Sequence, residues 1–171
     1  MTLNSNEISE IVEFVVALLS DQQVEVRELA KEALVSLFTG NETGKNFVEK
    51  FENLASLPIP SRNKRNLSSN IQNQEELKKN IVPRHAGILG LSSLVLSNPY
   101  SLPSWLPAVI ILVGDHLRDP SPISDSVKKT ISEFFRTHQD NWDHYSSLLT
   151  SEQLNSIMEL KSGASLHNYF N

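Results

Sequence analysis

An all-α fold built from antiparallel helix pairs is predicted by three features of this chain. Apolar residues recur at helical spacing in nearly every segment outside one polar stretch. Short breakers divide those segments: Gly40, Pro99 and the run Asp119-Pro120-Ser121-Pro122. The one β-branched run, Val109 to Val113, has no partner strand elsewhere in the chain, so it too is assigned to a helix.

Ser5 can cap a first helix with Ile8, Ile11, Val12, Val15, Leu18 and Leu19 at helical spacing. This helix is apolar on more than one face, as expected of a fragment whose neighbouring repeats cover that surface. Asp21 opens a second helix, with Val26, Ala30, Ala33, Leu34 and Leu37 on one side and Gly40 as its stop. The spacing of Asp21, Val26, Arg27, Ala30, Ala33, Leu34 and Leu37 is the pattern of a HEAT-repeat second helix. Its alanines allow close approach, and its arginine and aspartate can cross the turn between helices. Phe47, Val48, Phe51 and Leu54 predict a short third helix.

From Ala55 to Gln74 the periodicity fails, and prolines, Asn and Ser gather around Arg62, Lys64 and Arg65. A mobile loop is expected there. Around Arg84 to Leu96, apolar residues surround the helix, so it should be buried on most sides, and Gly87 and Gly90 would admit a neighbour against its backbone. Ser104 is a plausible cap for a helix through Leu117, with Trp105 and Leu112 expected in the core. Ile123 to Thr137 follows with Val127, Ile131, Phe134 and Phe135 inward, and its Val127-Lys128 and Ile131 weakly repeat Val26-Arg27 and Ala30. Thr150 caps a last helix over Ser151 to Leu160, which Gly163 should end, leaving Ser165 to Asn171 as a tail. The organisation expected is helices over 1–54, a mobile loop over 55–80, and C-terminal helices with a tail over 81–171.

Composition narrows the chemistry. A net charge of −5 argues against a general nucleic-acid binder, and the absence of cysteine removes thiol catalysis and cysteine-ligated zinc. No apolar run approaches the roughly 20 residues of a membrane span, and the polar start, Met1 to Glu7, does not resemble a secretory signal. His138 and His144 lie near Asp140 and Asp143, but their spacing crosses a helix end and no second cluster completes a metal site, so surface or capping roles are expected. No phosphate loop, nucleophile elbow or catalytic carboxylate pair is found. A non-enzymatic protein without a cofactor is expected.

Four motifs carry a resemblance: RHAGILGL (Arg84 to Leu91), SNPYSLPSWLP (Ser97 to Pro107), VKKTISEF (Val127 to Phe134) and RTHQDNW (Arg136 to Trp142). In this order they resemble the C-terminal end of the giant single-chain HEAT-repeat proteasome activators, which open the 20S core particle without ATP. The resemblance implies an α-solenoid fragment, partnership with the 20S α-subunit ring, and a presence in nucleus and cytoplasm. It also implies a docking tail, in which Tyr169, Phe170 and Asn171 take the hydrophobic, tyrosine and terminal positions of the family's tripeptide. Phe170 departs from that tripeptide by lacking the phenolic hydroxyl. A second class is implied as well: an acetylated-histone reader using a bromodomain-like helical region, with Asn41 as candidate amide donor. Asn41 is equally read as an ordinary residue after the Gly40 stop. Arg62, Lys64 and Arg65 are read either as a nuclear-import cluster or as a solvated loop. A HEAT scaffold for an unrelated partner is the third reading. The family also holds inositol phosphates in basic channels, for which this region has no matching constellation.

Overall fold

A computed structural model describes residues 5–40, 42–60, 75 and 78–166. It is helical, with no strand among the described residues. The α-helices are α1 (Ser5–Leu18), α2 (Val24–Phe38), α3 (Val48–Ala55), α4 (Ile81–Leu96), α5 (Leu106–Gly114), α6 (Ile123–His138), α7 (Trp142–Ser147) and α8 (Ser151–Leu166). Short 3-10 turns precede α3 at Thr43–Phe47 and α7 at Gln139–Asn141.

The fold is organised around α4. Every residue from His85 to Val95 is buried, because α2, α3, α5 and α6 all pack on this one helix. Such a helix needs apolar residues on all sides, and it also needs points where a neighbouring backbone can enter. Gly87 and Gly90 are those points. A Cβ on Gly87 would overlap the backbone nitrogen of Ala55 and the carbonyl of Phe51, and one on Gly90 would overlap the Phe51 ring. Helix α3 therefore lies directly on the α4 backbone. Behind it, Phe38, Phe47 and Phe51 form a row with ring centroids 5.8 and 5.9 Å apart. The helices on either side of residues 61–74 thus share one core.

Helix α2 begins three residues later than expected. Asp21 instead forms the turn before it, its Oδ1 accepting the Gln23 N–H at 2.8 Å. Gly40 ends the segment with φ +77°, the left-handed conformation that glycine adopts without a Cβ clash. In α5, Trp105 occupies the cap position and makes no side-chain cap bond, so Ser104 is not the cap. Trp105 and Leu112 are only half-buried; Leu106, Val109, Ile110 and Val113 form the buried face. Trp105 and Leu112 pack against the edge of this core, while α5, lying between α4 and α8, buries its other face fully.

Helix α8 extends to Leu166, beyond the predicted end, and Gly163 lies inside it. That glycine serves a close approach: a Cβ there would come within 2.9 Å of Leu117 Cδ2. The predicted cap holds. Thr150 Oγ1 accepts the Gln153 N–H at 3.1 Å while Gln153 Oε1 accepts the Thr150 N–H at 3.0 Å, a reciprocal capping box. On the outer side of the first hairpin, Phe14 is 66% exposed and Leu29 70% exposed, in line with the two-faced apolar pattern of α1.

Candidate docking and recognition sites

A largely buried polar relay crosses α2, α4 and α6. Arg27 donates from one guanidinium nitrogen to the Asp21 and Gln22 carbonyls (2.7 and 3.2 Å) and from Nε to His85 Nδ1 (3.1 Å). His85 Nε2 lies 2.9 Å from Ser126 Oγ, and Ser126 in turn donates to Glu28 Oε1 at 3.2 Å. Lys31 closes the chain on Glu28 at 2.8 Å. The predicted crossing of the helix turn by Arg27 therefore exists, through the backbone of Asp21.

This relay contains a serine beside a histidine, and its hydrogen-bond directions decide what it can do. A guanidinium only donates, so Nδ1 of His85 must accept and the ring proton sits on Nε2. The ring thus donates to Ser126 and has no lone pair free to remove its proton, which a nucleophilic serine would need. Burial, reinforced by the Arg27 charge, lowers the His85 pKa from 6.5 to about 4, keeping the ring neutral. Burial pushes the Glu28 carboxyl up, but Lys31 and Ser126 outweigh it and hold the group below its ordinary range. The relay is an internal strut.

A second cluster joins the exit of α3, α4 and the α5–α6 turn. Arg84, from the RHAGILGL motif, makes a forked pair with Asp119 (2.9 and 3.0 Å) and donates to the Leu57 carbonyl at 2.7 Å. His116 Nδ1 joins Asp119 at 2.8 Å. One arginine thus ties the exit of α3, the start of α4 and the α5–α6 turn. Arg62, Lys64 and Arg65 lie outside the described residues.

The third feature is a groove of about 390 Å³ between the α2–α3 turn and the α4–α5 connection. Thr39, Gly40 and Glu42 line one side; Asn98, Pro99, Tyr100, Pro103 and Trp105 line the other. Tyr100 is 80% exposed. The far wall is pinned from beneath: His138 Nε2 lies 3.1 Å from the Ser101 carbonyl, and the Tyr145 hydroxyl donates to the Tyr100 carbonyl at 2.8 Å. His138 is therefore a buried core residue, not a surface or capping one. Its aromatic neighbours, Phe134 and Tyr145 at 4.4 and 4.7 Å, exclude water from it. His144 is exposed, with its ring 5.6 Å from that of Tyr145. Asn98 turns its amide inward to the Leu94 carbonyl at 2.9 Å. Asn41 sits in sequence between Gly40 and Glu42 but lies outside the described residues. So do Tyr169, Phe170 and Asn171, which follow α8. Sequence reading missed this groove: Tyr100 and Trp105 fall in an aperiodic stretch, and only the run of prolines and aromatics in SNPYSLPSWLP signals it.

Fold and sites together define a class: a helical-repeat module whose enclosed polar groups brace the core and whose open features are surface grooves. A family model described as "Proteasome activator complex subunit 4-like, C-terminal" matches residues 81–170. Human "Proteasome activator complex subunit 4" is 38% identical over 162 residues, covering 92% of this chain and 8% of the relative. The Arabidopsis thaliana "Proteasome activator subunit 4" is 36% identical over 151 residues, covering 86% of this chain and 8% of the relative. "Proteasome activator BLM10" of Saccharomyces cerevisiae is 26% identical over 161 residues, covering 92% of this chain and 7% of the relative. The chain belongs to the proteasome activator complex subunit 4-like family. It spans about 8% of the length of the human relative.

Proposed function

We propose that this chain is the C-terminal part of a proteasome activator that caps the 20S core particle and promotes degradation without ubiquitin or ATP. Its role is regulatory, not catalytic. The tail docks: Tyr169 and Phe170 fill a pocket between adjacent α subunits, and the carboxylate of Asn171 meets a cation there. One observation carries this reading. The family match runs to residue 170, so the aromatic pair lies inside the matched region, directly after the capped helix α8. A terminal carboxylate is worth burying only beside an opposite charge, which makes its position critical. One added residue would move it by about 3.3–3.6 Å, out of register with the rings. Cosedimentation with 20S particles, together with peptide hydrolysis by them, for the activator with and without its last three residues, tests the reading. Retained gate opening after both truncation and extension would rule it out.

A second reading is supported by the groove lined by Thr39, Gly40, Glu42, Tyr100 and Trp105, since Asn41 neighbours Gly40 and Glu42 in sequence. In this reading, the Asn41 amide donates to the acetyl carbonyl of a modified histone lysine, and the aromatic wall covers the neutralised side chain. Titration of acetylated and unmodified histone peptides against the chain tests it; equal binding of the two dismisses it. The Arg62, Lys64 and Arg65 cluster would direct such a protein to the nucleus as well as the cytoplasm. Imaging a fluorescent fusion with the three residues changed to Ala checks this, since an unchanged distribution removes the signal.

A further inference from the structure

A wider groove, of about 650 Å³, runs between α2, α6 and α8. It is separate from the groove at Gly40 and needs neither the tail nor Asn41. Lys31, Lys128, Lys129 and Lys161 line it, against Glu32 and Glu133, on a chain whose net charge is −5. Local pairing changes how those charges count. Lys31 is committed to Glu28 and Glu32 at 2.8 and 3.0 Å, and Glu133 is committed to Arg136. Lys128 reaches Asp125 only at 3.9 Å, and Lys129 stands exposed on the next position of the helix, in ion-pair contact with no carboxylate among the described residues though its charge is felt by Glu28. Lys161 holds its ammonium 5.0 Å above the Phe135 ring. The groove therefore presents cations on α6 that are weakly paired, beside apolar surface from Leu96 and Phe135. Ser132 lies one turn along α6 from Lys128, on the same helix face.

We propose that this groove docks an acidic, partly apolar polypeptide segment of a partner protein. The partner's carboxylates pair with Lys128 and Lys129, Ser132 donates to one of them, and an apolar side chain lies against Leu96 and Phe135. Glu32 and Glu133 are each paired with a neighbouring cation, so the groove offers Lys128 and Lys129 beside the apolar Leu96 and Phe135. A peptide that spaces carboxylates between apolar residues matches both features, whereas a dense polyphosphate matches the lysines alone. The groove's size is in the range that holds a few side chains.

The test is fluorescence anisotropy of a fluorescein-labelled synthetic peptide alternating Glu and Asp with Leu and Phe, titrated with the 171-residue chain. Saturable binding that weakens with added salt is expected. Lys128→Glu with Lys129→Glu should weaken it at least about ten-fold while circular dichroism stays unchanged. A charge-exchanged probe, with Lys for each Glu and Asp, should then prefer the reversed variant. If the reversal disturbs folding, the Lys128→Gln/Lys129→Gln pair should still weaken binding. Absence of saturable binding, or equal affinity of a folded double variant, overturns the proposal. So does inorganic tripolyphosphate binding with the same lysine dependence while a peptide with Ser for Leu and Phe binds as well as the first, which would identify a plain anion site.

Discussion

At Gly87 the helix–helix contact leaves no room for a single carbon, because the atoms in the way belong to the α3 backbone. Gly87→Ala must push α3 off α4, and we expect it to cost about 3 kcal/mol, the upper part of the usual overpacking range, in denaturant melts. Ile110 is fully buried where Leu112 is not, so Ile110→Ala should cost about 2–5 kcal/mol and Leu112→Ala clearly less. Equal losses would mean that α5 faces the core differently. His85 supplies a pH signature. Its folded pKa of about 4 lies below the ordinary 6.5, so between those values the unfolded chain binds more protons than the folded one. Stability from this group is complete above about pH 6.5 and falls as pH drops towards 4, by roughly 3 kcal/mol in all. Urea melts at neutral and acid pH should show a smaller difference in His85→Gln than in the unaltered chain. The glycine contacts were legible in the sequence, since two glycines three apart in an apolar run have few other uses. The buried histidine was not, because its partners come from helices far apart in the chain.

Helix α8 is held at its start by a reciprocal side-chain cap. Thr150 and Gln153 satisfy each other's backbone donors, so Thr150→Ala should lower stability by about 1 kcal/mol, and Thr150→Ser should recover most of it. A thermal melt that fails to separate the two would assign the loss to something other than the cap. The longer helices were readable from periodicity, whereas the six-residue α7 and the 3-10 turns, too short to show a period, were not, and helix ends were readable only where a cap or a positive φ set them. Thr150 and Gly40 are of that kind. Gly163 looked like a stop and proved to be a contact, because a glycine that ends a helix and one that admits a neighbour are the same letter in sequence. The inward face of α5 could not be assigned from a run that is apolar on every side; only the positions of α4 and α8 choose it.

Taken whole, the molecule is braced internally by α4 and the Arg27–His85–Ser126 relay, and its open features are grooves. The family was legible in four short motifs, and their residues now have physical roles: Gly87 and Gly90 admit α3, His85 joins the relay, Arg84 clamps three segments, and His138 holds the groove wall. The grooves were not legible, since each is assembled from segments distant in sequence. The tail was readable as chemistry alone, as two rings followed by a carboxylate. Phe170→Tyr should raise stimulation of the 20S particle, because the added hydroxyl can restore a hydrogen bond worth about 0.5–1.5 kcal/mol. The most direct measurement is fluorogenic peptide hydrolysis by purified 20S particles in the presence of a synthetic peptide matching residues 165–171, with either a free or an amidated C-terminus. Tail docking predicts saturable stimulation by the free acid that amidation abolishes. No stimulation, or equal stimulation by the amide, would contradict it.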